Sequence, residues 1–128
     1  MNVLVIALDA ASQVDVPEAE VLVVAPALNS RLRRWLSDED EARRLAGERA
    51  EATVERLERR GLHAHGQIGD GDPLQAIADA LPEFPADEIV IAGHPQRRPH
   101  LAEELISRAS ARFGLPVFRG WEELPYAA

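Results

Sequence analysis

The sequence contains no cysteine. Disulfides, thiolate nucleophiles and thiolate-held zinc are excluded on that count alone. It contains no lysine either, so all 14 basic residues are arginine. A P-loop lysine, a Schiff base and a lysine general base are therefore ruled out. Basic charge is in deficit, with a net charge of −8 and a pI near 4.9. Generic nucleic-acid binders carry the opposite balance, so no nucleic-acid partner is expected. Long apolar runs are missing as well. The run from Val3 to Leu8 is too short for a signal-peptide core and has no basic flank. Nothing approaches the ~20 apolar residues of a membrane helix. The expected setting is the cytoplasm, with no membrane partner. Aromatics are sparse at 5%, and one of the two tryptophans and the only tyrosine fall between Trp121 and Tyr126.

Hydrophobic residues make up 46% and charged residues 28% of the 128. This composition suits one folded domain spanning residues 1–128 and is too short for two. Three runs are apolar on both faces: NVLVIAL (2–8), VLVVA (21–25) and EIVIAG (88–93). Such runs predict strands of a parallel sheet covered on both sides. LHAHGQI (62–68) alternates instead, with Leu62, Ala64, Gly66 and Ile68 on one face and His63, His65 and Gln67 on the other. It predicts an edge or half-exposed strand. PVFRG (116–120) is a short fifth candidate, with its proline at the start, where a strand tolerates it.

Three helices are predicted between these strands. Ser37 to Asp40 resembles a capping box, and helix follows to Arg60 with an apolar stripe of Ala42, Leu45, Ala46, Ala50, Thr53, Val54 and Leu57. Acids crowd its start and Arg59-Arg60 its end, which complements the helix dipole. Gly61-Leu62 reads as a left-handed stop followed by a hydrophobic anchor. Asp72-Pro73 opens a second helix as N-cap and first residue, ending near Leu81 before Pro82. A third spans roughly Pro99 to Phe113, with Leu101, Leu105, Ile106, Ala109 and Phe113 inward.

The order β, β, α, β, α, β, α, β predicts an open α/β sheet with right-handed crossovers. One crossover is unusual. DAASQVDVPEAE, between the first two strands, has no helical pattern. The first crossover helix is missing or reduced, and one face of the sheet lacks a cover there. Residues 10–20, the tail Trp121–Tyr126 or a second subunit is expected to supply it.

These residues resemble the universal stress proteins. VLVIALDAAS is similar to that family's first strand, which ends in Asp followed by a small residue and Ser. GDPLQAI (71–77) matches its G-x-P-x-x-x-I, DEIVIAG (87–93) its D-x-I-V-x-G, and GLPVF (114–118) its last strand. APALNSRLRRWLSDEDEARRLA further resembles a divergent, actinobacterial group of stress-protein-like sequences. The resemblance implies a Rossmann-like, five-stranded parallel sheet of order 3-2-1-4-5, and a homodimer, often formed through the last strand. It also supplies a test for ATP. Binding members carry G-x-x-G, nine residues, then G-[S/T] after the fourth strand. Gly93 matches the first glycine and Ser107 the final hydroxyl, but Gln96 and Ile106 stand where the other two glycines belong.

The loop in question is GHPQRRPH (93–100). A backbone phosphate cradle needs converging N–H groups and the close approach that glycine allows. Pro95 and Pro99 each remove a donor, and a side chain at 96 takes up space. ATP in the family's standard pose is therefore not expected. Four basic side chains nevertheless lie within this loop, at the carboxyl end of a strand where open α/β sheets bind ligands. Arginine can clamp a phosphate or carboxylate without backbone help. Asp9 would lie across the crevice; in nucleotide-binding relatives it contacts the nucleoside. The plainer reading is an Asx turn at Asp9 and a solvated, charge-balancing loop tip at Arg97-Arg98.

Other constellations are weaker. Asp70 and Asp72 suggest a divalent cation, but Asp72 is explained as an N-cap. His63 and His65 share a strand face and lack a third ligand. No motif pairs a serine with a base, and Glu103-Glu104 and Glu122-Glu123 read as surface charge. The expected function is non-enzymatic: a stress-protein-like binding or regulatory domain with no catalytic residues and no metal. The alternative is an adenine-nucleotide (ATP or AMP) or small-anion module using Asp9, Gly93, His94, Arg97, Arg98 and Ser107.

Overall fold

The computed structural model describes residues 1–9, 14–28, 39–94, 96–97 and 99–122. Its strands are β1 (Asn2–Ala7), β2 (Glu20–Pro26), β3 (His63–Gly69), β4 (Glu88–Ala92) and β5 (Val117–Arg119). They form one parallel sheet in the order β3-β2-β1-β4-β5. The continuous apolar runs became the interior strands: β4 is buried throughout, as is β1 from Val3 onward. The alternating run became β3 at the edge, with His63, His65 and Gln67 exposed. At the amino ends of β1 and β4, Asn2 donates its backbone N–H to Asp87 Oδ2 at 2.8 Å, and Asp87 N–H returns to Asn2 O at 2.8 Å. Asp87 of the D-x-I-V-x-G stretch thus fixes where the two central strands begin.

Three helices pack on this sheet among the described residues: α1 (Glu39–Arg59), α2 (Pro73–Ala80) and α3 (Pro99–Phe113). The predicted capping box falls partly at 37 and 38, outside the described residues. The other end of α1 is a Schellman turn. Leu62 N–H reaches Leu57 O at 3.1 Å, Gly61 N–H reaches Glu58 O at 2.9 Å, and Gly61 sits at φ +85°. Helix α2 begins as its sequence predicts: the Asp72 carboxylate accepts from Leu74 N–H at 3.0 Å, and Pro73 occupies the first turn. Gly69 before it is held tightly, since a Cβ there would lie 2.6 Å from Val24 and 2.9 Å from Ala76.

The two faces of the sheet carry separate cores. On one, Leu4, Ile6 and Leu8 with Ile89 and Ile91 meet Ala76, Ile77 and Ala80 of α2 and Ala102, Leu105 and Ala109 of α3. On the other, α1 lays Ala46, Ala50 and Leu57 over β2 and β3. The crossover between β1 and β2 shows no helix over residues 14–19, as the sequence predicts. Val14 and Val16 are nevertheless buried, and pack in that second core with Val3, Val5, Val90 and Ala92. Asp15 N–H bonds to Gly120 O at 3.1 Å, and Arg60 bonds to Val14 O at 3.1 Å. Of the expected covers, the crossover itself serves. Of the tail, residues 121 and 122 are described, and Trp121 belongs to the opposite core with Leu101 and Ile106. The covered face removes that reason for a second subunit. No described helix is long and apolar enough to cross a membrane.

Candidate functional site

The strand order reverses between β1 and β4, because the chain builds β1, β2 and β3 outward and then crosses back. The crevice outside the carboxyl ends of those two strands is the place where open α/β sheets take ligands. Leu8 N–H bonds to Ala92 O at 2.9 Å, which holds the two strand ends together. Asp9 follows on one side, and the loop from Gly93 follows on the other.

That loop spends its donors on itself. Arg97 N–H reaches His94 O at 3.0 Å, closing a tight turn in which His94 and Arg97 form an isolated antiparallel bridge. Gln96 N–H reaches His94 Nδ1 at 3.1 Å. Pro95, in sequence between them, has no donor to offer. Two N–H groups that could have converged on a phosphate are therefore satisfied internally, and reclaiming them would leave His94 acceptors unpaired.

Gly93 is also accounted for. A Cβ at this position would meet the Trp121 ring at 3.1 Å, tighter than ordinary van der Waals contact. Glycine here lets the indole lie against the end of β4. The sequence reading missed this role because Trp121 is distant in the chain; its one hint was a lone tryptophan directly after the last strand.

Across the crevice the Arg97 guanidinium lies 3.3 Å from Asp9 Oδ1 and 3.4 Å from Oδ2. The Asp9 side chain is 14% exposed and that of Arg97 62% exposed. So much solvent limits the net worth of the pair to about 0–1 kcal/mol. It still sets the local electrostatics, because the Asp9 carboxylate in the crevice already faces a cation. The structure thus brings Asp9, Gly93, His94 and Arg97 together. It does not bring Ser107, which is exposed in α3 two turns beyond Pro99, about 12 Å along the axis at the helical rise per residue. The reason is local: the helix starts at Pro99, so the residues from there to Ser107 are wound into helix and carry the hydroxyl away from the loop at Gly93. Arg98 lies outside the described residues.

A second hollow, of about 450 Å³, opens at the carboxyl ends of β2 and β3 beside Arg43, Asp70 and Asp72. Both aspartates are engaged there: Asp70 accepts from Asp72 N–H at 2.8 Å, and Asp72 caps α2. Asp70 forms an Asx turn that leads into the cap. His63 approaches Glu20 at 3.8 Å. Among the described residues, no group of three or more His, Asp or Glu is arranged to hold a metal ion.

One expected surface charge is not loose. Glu103 on α3 receives two hydrogen bonds from the Arg119 guanidinium of β5, one of them from Nε at 2.7 Å. Those bonds pull the Glu103 carboxyl below its ordinary range and raise Arg119 in turn. Glu104 pairs along its own helix with Arg108 at 3.2 Å.

No protein-family model matches this sequence, and no curated protein matches it significantly. Among solved structures the chain resembles hypothetical protein MJ0577, itself the subject of a structure-based assignment of biochemical function. The TM-score is 0.55 at 15% identity, covering 91% of this chain and 94% of that one. This likeness and the strand order give a Rossmann-like fold of the universal-stress-protein type.

Proposed function

We propose that this domain works by binding rather than by catalysis, as a homodimer, and that its switch-point crevice does not take ATP in the stress-protein pose. The observation that carries this reading is the Asp9–Arg97 pair, which fills the nucleoside side of the crevice with the chain's own cation. The internally bonded turn at His94–Arg97 and the indole against Gly93 support it from the phosphate side. Among the described residues the crevice pairs no nucleophile with a base: Asp9 faces Arg97, His94 accepts from Gln96, and Ser107 is elsewhere. A dimer through β5 is supported by its position at the sheet edge and by the half-buried Val117 and Phe118.

The test is thermal unfolding with and without millimolar ATP, ADP, AMP or inorganic phosphate, each with Mg²⁺. A ligand at a hundred times its Kd adds ~2.7 kcal/mol, enough to move the transition by several degrees. The expected result is no shift. A shift that Arg97→Ala abolishes would replace this reading with the anion-binding one, for which the exposure of Arg97 is the favouring observation. Sedimentation at micromolar concentration tests the dimer, and a monomer would remove it.

A further inference from the structure

The two edges of the sheet are guarded differently. β5 exposes an edge of three residues, whereas β3 exposes one of seven. Sheet edges are usually blunted by lysine, proline, a bulge or shortness, because unpaired N–H and C=O groups template another strand. HAHGQIG has none of the first two, and its seven residues pair in unbroken register with β2 on the inner side. Beside this edge, between it and α1, runs a groove of about 570 Å³. Ala50, Val54 and Gly66 floor it, and Glu51, Glu55 and Glu58 rim it. Gly66 keeps the groove open, since a Cβ there would press to 3.2 Å from Val54.

The rim is the informative part. Glu55 meets Arg59 only at 3.9 Å, with both side chains well exposed. Glu51 and Glu58 have no ion pair among the described residues. At i, i+4 and i+7 the three carboxylates form one stripe along the helix. Glu51 and Glu55 are separated by about 6 Å of helical rise, close to the ~6.6 Å between alternate side chains on a strand. A strand laid beside β3 would therefore present alternate side chains to Glu51 and Glu55 at a nearly matching interval, with Glu58 about 4.5 Å further along the helix and within reach of a long cationic side chain.

We propose that the β3 edge takes an extended, cationic segment of a partner protein as an added strand, with arginine or lysine at alternate positions facing Glu51, Glu55 and Glu58. Backbone pairing supplies the affinity and the carboxylate stripe the selection, as in other strand-addition complexes. A second copy of this chain fits less well. Antiparallel pairing of β3 with itself would turn the same three carboxylates of each copy toward one another, and like charges so placed repel. The proposal adds a surface remote from the switch-point crevice, and it stands or falls independently of whether a nucleotide binds there.

The test uses the whole chain and a short fluorescein-labelled peptide of alternating arginine and valine, titrated to about 1 mM at low salt. Binding should be weakened about tenfold by the exposed triple variant Glu51→Gln/Glu55→Gln/Glu58→Gln, the scale of a few solvent-exposed ion pairs. It should be unchanged by Arg97→Ala. Hydrogen exchange should show the outward-facing amides of His63–Gly69 slowed by the peptide. No binding would overturn the proposal, and so would binding that leaves the β3 amides unprotected, since that is attraction without strand addition. Protection of the same amides on concentrating the protein alone would assign the edge to a second copy and overturn it as well.

Discussion

The two faces of the sheet solve the same problem with different materials. One is roofed by α2 and α3, whose buried residues meet the large side chains Leu4, Ile6, Ile89 and Ile91. Among the described residues the other has one helix, α1, lying over β2 and β3, and a stretch of bare chain whose Val14 and Val16 join the core that holds Val3, Val5, Val90 and Ala92. The side chains facing the bare chain are smaller, valine and alanine where the helical face has isoleucine and leucine. The described part of this crossover, residues 14–19, is thus structural without being helical. Two valines spaced to put both side chains down, with the Asp15 N–H between them bonded to Gly120 O and Val14 O to Arg60, close the layer that a helix would otherwise close.

The strongest way to break this comparison is to hollow the helical part of the mixed face. Leu57→Ala removes a side chain with no exposure from beneath α1 and should cost about 2–5 kcal/mol in denaturant unfolding. Next comes the bare segment. If Val14 and Val16 roof the sheet as a helix does, Val14→Ala/Val16→Ala should cost about 2–4 kcal/mol. A loss near zero would mean the segment merely lies on the surface. On the helical face, Gly69→Ala drives a methyl into Val24 and Ala76 and should cost about 1–3 kcal/mol through overpacking. The smallest effect is at the β5–α3 fork. Glu103→Gln should lower the midpoint at neutral pH by less than about 2 °C, because the pair is solvated. Since the folded state depresses the Glu103 carboxyl, its contribution is complete above the ordinary glutamate range and lost as the pH falls through the depressed value. Wild type and variant should therefore converge on acidification, and a difference that persisted in acid would place the effect elsewhere.

Sequence patterning carried the elements well for local reasons. The apolar runs at 2–8, 21–25 and 88–93 and the alternation at 62–68 encode burial directly, and Asp72-Pro73 and Gly61-Leu62 encode the ends of helices within a few residues. The candidate site was legible only in its address. That Asp9 and the Gly93 loop face each other follows from strand order, so sequence placed them correctly. What they do to each other did not follow. The reach of Arg97 to Asp9, the indole against Gly93 and the fork of Arg119 on Glu103 are contacts between segments far apart in the chain, and no local pattern announces them. Ser107 was drawn into the candidate site by counting residues, which holds only if the intervening stretch is loop; Pro99, a favoured first residue of a helix, was the local sign that it is not. The alternation Val14-Asp15-Val16 was readable too, as a short strand-like segment with one apolar side.

The bare crossover has a consequence for the order in which this molecule assembles. Its partners include Val3 and Val5 in β1, Arg60 after α1, Val90 and Ala92 in β4 and Gly120 just after β5, so a segment made near the start of synthesis completes its contacts only near the end. A helical segment carries its own backbone hydrogen bonds; residues 14–19 do not, and part of what holds them lies at long sequence separation in β4 and after β5. The layer that Val14 and Val16 complete over the sheet should consequently close only after β4 and β5 have emerged.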